Sequence, residues 1–103
     1  MKVQTLDYNL NQPTVKQITV PLNSTFGVAV KVTKDGEPLS CELDELSVNG
    51  MSAEFESAGY CVFALSSDAA VGIRRLDVRL DKDDAQAAFP LLVQQRDFGY
   101  FDV

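Results

Sequence analysis

The sequence predicts an all-β domain, an antiparallel β-sandwich of about seven strands, with a small β-barrel as the alternative. Three observations support this class. Apolar and polar residues alternate through 25–35, turn signals recur about every 8–12 residues, and no stretch has the period of a helix longer than one turn. The chain of 103 residues is 46% apolar and 23% charged, which suits one globular domain with one core.

The first predicted elements are an N-terminal segment and two strands. Residues 1–13 form either an N-terminal arm or an edge strand, because an alternating apolar pattern there ends in a polar break, and 14–103 form a single β-sandwich domain. In the strand at 15–22, Pro21 favours an edge position, because proline cannot donate to the ladder. The strand at 25–34 is the clearest, with apolar residues at the even positions from 26 to 32.

The middle of the chain predicts a bent strand, a hairpin and a buried strand. Residues 38–48 form a strand whose apolar parity shifts after Leu43, which indicates a bulge or bend. Asn49-Gly50 predicts a type I′ hairpin turn. Tyr60–Leu65 is continuously apolar, which favours burial on both faces. Between the Asn49-Gly50 turn and Tyr60–Leu65, apolar residues alternate again at Met51, Ala53 and Phe55.

Two more strands complete the predicted domain. In Ile73–Leu80 the apolar side chains at 76, 78 and 80 face the core, whereas the charged side chains at 75, 77 and 79 face solvent. Phe89–Val93 is the last strand. The expected core therefore consists of the inward-facing apolar positions of these strands.

The two cysteines, Cys41 and Cys61, each fall within an apolar strand pattern. We interpret them as buried thiols that act as small hydrophobic residues, with a cross-sheet disulfide as the alternative. Their spacing fits no zinc motif, because a tetrahedral site needs four ligands and the chain has no histidine. We therefore expect no metal site and no cofactor.

The absence of histidine also removes the usual catalytic base, so Ser-His-Asp and Cys-His sites are excluded within this chain. Two pairs of carboxylates remain as candidates, Asp44-Glu45 and Glu54 with Glu56. We interpret them as solvated side chains, because two-carboxylate catalysis needs a deep cleft that a sandwich of this size rarely provides. The sequence therefore predicts no catalytic residue and no enzyme activity.

The net charge of −6 limits the classes of partner. Nucleic acid is not expected, because the nine Lys and Arg residues are scattered rather than gathered in a basic patch. A membrane is not expected either, because no apolar run approaches the ~20 residues of a spanning helix. The N-terminal residues lack the apolar stretch of a secretory signal, so we expect synthesis in a cytoplasm.

Side chains near the two ends of the chain are the candidate interface residues. Aromatic side chains dominate interface hot spots, and terminal segments are ordered mainly where they dock. The candidates either pack on the core of their own domain or anchor it to a neighbouring subunit. They are Tyr8 and Leu10 in the N-terminal segment and Phe98, Tyr100 and Phe101 at the C-terminal end.

Three segments resemble small immunoglobulin-like domains of bacteriophage virion proteins. Ser24–Leu39 has a polar step, an aromatic-led strand, an acidic-Gly turn at Asp35-Gly36 and a Pro-hydrophobic restart. In Ala69–Leu80 a glycine precedes an alternating run, and Phe89–Val93 is similar to the closing strand. The core tryptophan of antibody-type domains is missing. The resemblance implies an Ig-like β-sandwich.

The same resemblance implies a non-enzymatic structural role in a phage virion, as a capsid decoration protein or as a tail or baseplate adaptor. The implied partners are capsid or tail proteins and further copies of this chain in a homo-oligomer, with synthesis in the host cytoplasm. The alternative is a small inhibitor or adaptor whose acidic surface binds a basic site on a single host protein. A carbohydrate-binding module ranks last, because no tryptophan is present to line a sugar site.

Overall fold

Ten strands and no helix make up the part of the chain that the computed structural model describes, residues 2–12, 14–40, 42–82 and 85–97. The prediction of an all-β sandwich is confirmed, although the strand count is ten rather than about seven. In chain order the strands are β1 (Lys2–Asn9), β2 (Lys16–Pro21), β3 (Thr25–Lys34), β4 (Glu37–Pro38), β5 (Leu46–Val48), β6 (Met51–Ser52), β7 (Phe55–Ser57), β8 (Tyr60–Ser66), β9 (Gly72–Lys82) and β10 (Ala85–Arg96).

The strands form two sheets packed together. The first sheet has the order β1-β3-β8-β7, with β4 pairing the end of β3, and the second has the order β2-β10-β9-β5-β6. Each sheet contains one parallel pair, β1 with β3 and β2 with β10, so the sandwich is mixed rather than purely antiparallel. Parallel neighbours need a crossover connection. The crossover between β1 and β3 is formed by β2. This strand runs in the second sheet and brings the chain back to the end of the molecule at which β1 begins.

Each sheet has one long edge strand near the start of the chain. Residues 2–9 form an edge strand, β1, which pairs with β3 over its whole length. The second edge strand is β2, and Pro21 at its end occupies the edge position that the sequence predicts.

The start of β1 and the end of β10 lie at the same end of the molecule. Lys2 is in register with Phe26 at the start of β3, and Arg96 is in register with Pro21 at the end of β2. Because only four residues separate Pro21 from Phe26 in sequence, these two positions are close in space. We call this end, with the loops at 22–24 and 67–71, the terminal pole.

The core lies between the two sheets and is built from alternating side chains. Every even position from 26 to 32 of β3 is buried, as are positions 76, 78 and 80 of β9, so the predicted inward sides of both strands are confirmed. The last strand is longer than the predicted 89–93, and its odd positions from 89 to 95 are also buried. Full burial of a Val, Leu or Phe side chain contributes roughly 1.5–3 kcal/mol, so this shared layer dominates the stability of the fold.

Among the described residues, three two-residue turns connect antiparallel strands, and each has two successive residues with positive φ. They are Asp35-Gly36 with φ of 53° and 79°, Asn49-Gly50 with 49° and 83°, and Ala58-Gly59 with 53° and 84°. Positive φ at both central residues is the mark of a type I′ turn, which matches the twist of the flanking strands. The hairpin predicted at Asn49-Gly50 is therefore confirmed, with Val48 opposite Met51.

Two predicted strands instead contain passages between the sheets. After β4 the chain leaves the first sheet and joins the second only at Leu46, so the shift of apolar parity after Leu43 marks a crossing rather than a bulge. A second crossing lies between β6 and β7. The alternation of Met51, Ala53 and Phe55 spans it, and only Ala53 is buried, whereas Met51 and Phe55 are about half exposed.

Pro90 lies in the interior of β10 without disturbing its pairing to β9. Positions of equal parity in a strand direct their backbone groups to the same side. The backbone carbonyl of Arg96 accepts a hydrogen bond from the Leu22 amide, so the backbone groups of Arg96 point toward β2. Pro90 has the same parity, so its backbone nitrogen also points toward β2 rather than toward β9. The pairing of β2 with β10 starts only at Leu91, so the missing amide of Pro90 removes no ladder bond.

Candidate protein-interaction surfaces

The terminal pole is held by a network of buried polar side chains. Gln95 is only 2% exposed. Its side-chain nitrogen donates to Asp68 Oδ1 and to the Ala70 carbonyl at 2.6 Å each, and its oxygen accepts from the Asp68 amide at 3.2 Å. Ser67 Oγ accepts from the Ser24 amide at 2.9 Å and donates to the Pro21 carbonyl. Every polar atom of Gln95 is thus satisfied, and the loop at 67–71 is fixed to the end of β10.

The same network sets the electrostatics of the pole. Hydrogen bonds from the Ala70 amide and the Gln95 side chain lower the pKa of Asp68, because both stabilise the carboxylate. Two large apolar side chains beside this loop are exposed, Val71 at 71% and Ile73 at 61%. The pole therefore presents apolar side chains on a rigid frame.

The outer face of the first sheet is apolar at its centre. One row across the four strands reads Thr5, Ala29, Val62 and Phe55, and the row before it reads Val3, Gly27 and Ala64. Ala29 and Val62 are only 4% and 5% exposed although no strand among the described residues packs over them, and Val3 and Phe55 are about half exposed. We call these seven residues the apolar face.

A polar row borders the apolar face on the side away from the terminal pole. Asp7 lies beside Lys31 in the sheet, and the Lys31 ammonium lies 4.9 Å from the centroid of the Tyr60 ring. The Tyr60 hydroxyl donates a hydrogen bond to Asp7, which raises the pKa of Tyr60. The two opposite charges in this row compensate each other locally.

The outer face of the second sheet has a different composition. Its outward positions in β9 alternate with apolar core positions and carry Ile73, Arg75, Asp77, Arg79 and Asp81. The Arg75 Nε lies 3.5 Å from Asp77 Oδ1, and both side chains are more than half exposed. Such exposed pairs contribute little to stability, so this face is mainly a solvated one.

The two predicted interface residues of the N-terminal segment that the structure describes both contact the core. Tyr8 is 1% exposed, and its ring stacks on Phe89 with 4.5 Å between centroids. Burial raises the pKa of Tyr8 to about 12, and its hydroxyl has no hydrogen-bond partner among the described residues. Leu10 is half-buried and packs against the core. Their side chains thus take part in packing within the chain, and an interface role for them stays a prediction.

The other three predicted interface residues, Phe98, Tyr100 and Phe101, lie outside the described residues. The predicted interface residues include no member of the apolar face. Two signals for it were present: the continuously apolar strand at 60–65, and the small residues Gly27 and Ala29 between core positions of β3. Strands that are apolar on both sides are typical of sheets covered on both sides.

The candidate catalytic carboxylates have structural roles or are solvated. Glu45 accepts a hydrogen bond from the Glu42 amide at 2.7 Å and lies 3.6 Å from the Lys82 ammonium, so it holds its own turn against the end of β9. Glu54 and Glu56 are exposed. No group of three or more His, Cys, Asp or Glu side chains that could hold a metal ion occurs within the described part of the chain.

Cys61 is buried and free, in agreement with the interpretation as a small core residue, and burial raises the pKa of its thiol. It lines a small hollow of about 160 Å³ together with Leu39 and Leu46. Cys41 lies outside the described residues, so its pairing stays open. Across the described ranges, no helix is long and apolar enough to cross a membrane.

Comparisons with known proteins identify a similar fold in a phage protein. No protein-family model matches the chain, and no curated protein matches it. Among solved structures, the N-terminal domain of phage TP901-1 ORF48 is similar, with a TM-score of 0.54 and 13% sequence identity. The match covers 91% of this chain and 99% of the other chain, so it extends over the whole sandwich. The resemblance to the Ig-like family in particular stays a prediction.

Proposed function

We propose that the chain is a non-enzymatic structural protein of a bacteriophage virion, a capsid decoration protein or a tail or baseplate adaptor that acts through protein–protein contacts. The observation that carries this proposal is the shared fold with a phage protein domain over 91% of the chain. A fold by itself does not specify a function, so the surfaces must support the same conclusion.

The surfaces described above support it in two ways. The apolar face and the exposed Val71 and Ile73 offer contact area without an accompanying catalytic group. The terminal pole is preorganised by the bonds of Gln95 and Ser67, which lowers the entropic cost of docking. The proposed partners are capsid or tail proteins and further copies of this chain, within the virion.

Particle fractionation tests the proposal. Phage particles from the producing host are banded in a density gradient, and isolated heads and tails are separated in a second gradient. The ratio of this chain to the major capsid protein is measured by mass spectrometry in each fraction. Constant stoichiometry with heads supports a decoration protein, and constant stoichiometry with tails supports an adaptor. Recovery as a small free species, or with a single host protein, would overturn the proposal in favour of an inhibitor.

Truncation of the chain separates the contribution of the C-terminal segment from that of the fold. Removal of residues 98–103 leaves all ten strands in place, because β10 ends at Arg96. Removal of residues 1–12 is not a matched test, because it deletes β1, leaves the edge of β3 unpaired and removes Leu6 and Tyr8 from the core. If Phe98, Tyr100 and Phe101 anchor the chain to its neighbours, the chain without 98–103 should stay folded but should be absent from purified particles.

A further inference from the structure

The first half of β9 has an open edge on the side away from β10. The Asp77 carbonyl accepts a hydrogen bond from the Asn49 amide, and β5 pairs with β9 only from Val78 onward. Positions of equal parity direct their backbone groups to the same side, so the amides and carbonyls of Ile73 and Arg75 point to the side of β5 as well. Among the described residues, no strand pairs with β9 on that side before Asp77. Such a row of unpaired backbone groups is a template for another strand, and we call residues 71–76 on this side the open edge.

The side chains along the open edge suit an added strand. On the outer side of the sheet, Val71 and Ile73 are 71% and 61% exposed, and Arg75 is exposed after them. On the inner side, a hollow of about 340 Å³ opens between the two sheets, and its lining includes Leu65 and Leu76. An added strand would therefore place one row of side chains beside Ile73 and the other row over an apolar hollow.

The segment 98–103 has the sequence pattern of such a strand. Its even positions are two aromatic residues followed by Asp102, and its odd positions are glycine and two apolar residues. A parallel strand with Tyr100 beside Ile73 would extend the exposed apolar row. The same register places Asp102 beside Arg75, which is a pair of opposite charges on one face of the sheet.

The charge of the open edge favours an acidic segment. Arg74 and Arg75 are the only two adjacent cationic residues in a chain with a net charge of −6. The Arg75 Nε lies 3.5 Å from Asp77 Oδ1, but both side chains are more than half exposed, so this pair contributes little. A guanidinium has several N–H donors, so Arg75 retains donors for a second carboxylate. Asp102 would supply that carboxylate.

The geometry assigns this register to the segment of a second copy. Gln95 pairs with Gly72, so Arg96 is level with Val71 but lies on the opposite side of β9 from the open edge. In this register Phe98 would be beside Val71, two strand spacings or about 9.6 Å from Arg96. Two residues of extended chain span only about 7 Å. The segment of the same chain is therefore too short for this register, whereas the segment of a neighbouring copy is not restricted in this way.

We propose that residues 98–103 of one copy add as a parallel strand to the open edge of a second copy. This inference rests on the proposed structural role, in which the aromatic residues of this segment are the anchor, and it names the surface on which they dock. Backbone hydrogen bonds to Ile73 and Arg75 provide affinity, and the alternating side chains provide specificity. Because β10 ends at the terminal pole and the open edge begins there, two copies exchange their segments about a two-fold axis, and the assembly closes as a dimer.

Sedimentation equilibrium of the full chain tests this exchange, from about 10 µM to about 1 mM, the range of dissociation constants expected for so small a contact. Arg75→Glu should weaken dimerisation about three- to tenfold, because the new carboxylate would face Asp102. Arg79→Glu is the matched control, since Arg79 is exposed on the same face of β9 but lies where β5 already pairs. It should leave the dissociation constant within about twofold of the wild type, because long-range repulsion is screened in ~0.15 M salt.

An exchange of charges separates the contact from an effect on folding. Asp102→Arg should weaken the dimer in the wild-type background and should restore it in combination with Arg75→Glu, because the pair is then reversed rather than lost. A loss of folding would not be restored in this way. A wild-type chain that stays monomeric at about 1 mM, equal losses in Arg75→Glu and Arg79→Glu, or no restoration in the double variant would overturn the proposal. The test needs no phage particle, so its failure leaves the proposed virion role to the particle fractionation.

Discussion

The two sheets contribute in the same way to the core but differ in the faces they turn away from it. In the second sheet, β9 alternates apolar core positions with the charged residues Arg75, Asp77 and Arg79. In the first sheet, the parts of β3 and β8 nearer the terminal pole have apolar or small residues on both sides, including the nearly inaccessible Ala29 and Val62. The inner pattern determines the fold, whereas the outer pattern shows which surface is suited to a partner.

The largest expected effect lies in the shared inner layer. Phe89→Ala should lower the free energy of unfolding by about 3–5 kcal/mol, because Phe89 is 1% exposed and its ring supports Tyr8 of the opposite sheet. Phe55→Ala, on the outer face, should cost less than about 1.5 kcal/mol at low protein concentration. Urea denaturation measures both. Similar losses in the two variants would show that the outer face is packed as tightly as the core.

The next effect compares the two outer faces directly. Val62→Asp should destabilise the chain by about 2–4 kcal/mol, because it places a carboxylate at a position that is 5% exposed beside Ala29. Ile73→Asp should stay within about 0.5 kcal/mol of the wild type, since Ile73 is 61% exposed. Both values come from chemical denaturation at a concentration at which the chain is monomeric. A large loss with Ile73→Asp would contradict the contrast between the faces.

The sequence predicts those parts of the fold in which a strand stays in one sheet. The alternation through β3 and β9 determines the core side of each strand, and Asn49-Gly50 determines a hairpin, because these signals are local. The predicted strand at 38–48 and the alternation at 51–55 depart from the structure for one reason: in each, an apolar pattern continues across a crossing between the sheets. A shift of parity such as the one after Leu43 does not by itself distinguish a crossing from a bend within one sheet, because a crossing depends on which strands pair at long range.

The candidate interface was harder to predict for a related reason. Tyr8 lies in a segment for which the sequence leaves an arm or an edge strand open, and pairing of β1 with β3 directs its ring into the core against Phe89. Phe55 shares an apolar alternation with the buried Ala53, but its pairing with Val62 places it on the outer face of the first sheet. Because side chains alternate along a strand, the sequence pattern assigns residues to its two faces. It does not determine which of the two faces packs against the other sheet.

Tyr8 tests whether every buried polar group of the core has a hydrogen-bond partner. Its hydroxyl is buried without a hydrogen-bond partner among the described residues. Tyr8→Phe should therefore raise the free energy of unfolding by about 1 kcal/mol at neutral pH, because the cost of desolvating the hydroxyl is removed. The wild type should also lose stability above pH 10 more steeply than the variant, since the folded-state pKa is about 12 and only the unfolded chain releases this proton near pH 10. Lower stability of Tyr8→Phe would indicate that the hydroxyl is hydrogen-bonded in solution.

The hairpins at the margins of the two sheets should respond with opposite signs to exchanging asparagine and alanine at the first turn residue. Both turns have the same backbone shape, but the second sheet uses Asn49 and the first uses Ala58 at a φ near 50°. Ala58→Asn should raise the free energy of unfolding by about 0.5–1 kcal/mol, because asparagine tolerates this conformation better. Asn49→Ala should lower it by about 1–2 kcal/mol, because it also removes the 2.8 Å hydrogen bond from the Asp77 amide. Thermal melting of both variants measures the two changes in stability. Ala58→Gly is an independent test, because glycine also relieves the strain of the positive φ at this position.

The smallest effect concerns the polar row beside the apolar face. The hydrogen bond to Asp7 raises the pKa of Tyr60 above its ordinary value of 10.0, so the folded state holds this proton more tightly than the unfolded chain. The resulting stabilisation is complete below pH 10 and is lost as the pH rises through the folded-state pKa. Asp7→Asn should lower the pKa of Tyr60 toward its ordinary value and flatten the decline of stability above pH 10. Ultraviolet titration of the tyrosines, with Tyr60→Phe to assign the signal, measures the shift. An unchanged Tyr60 titration in Asp7→Asn would mean that the Tyr60 hydroxyl does not bond Asp7 in solution.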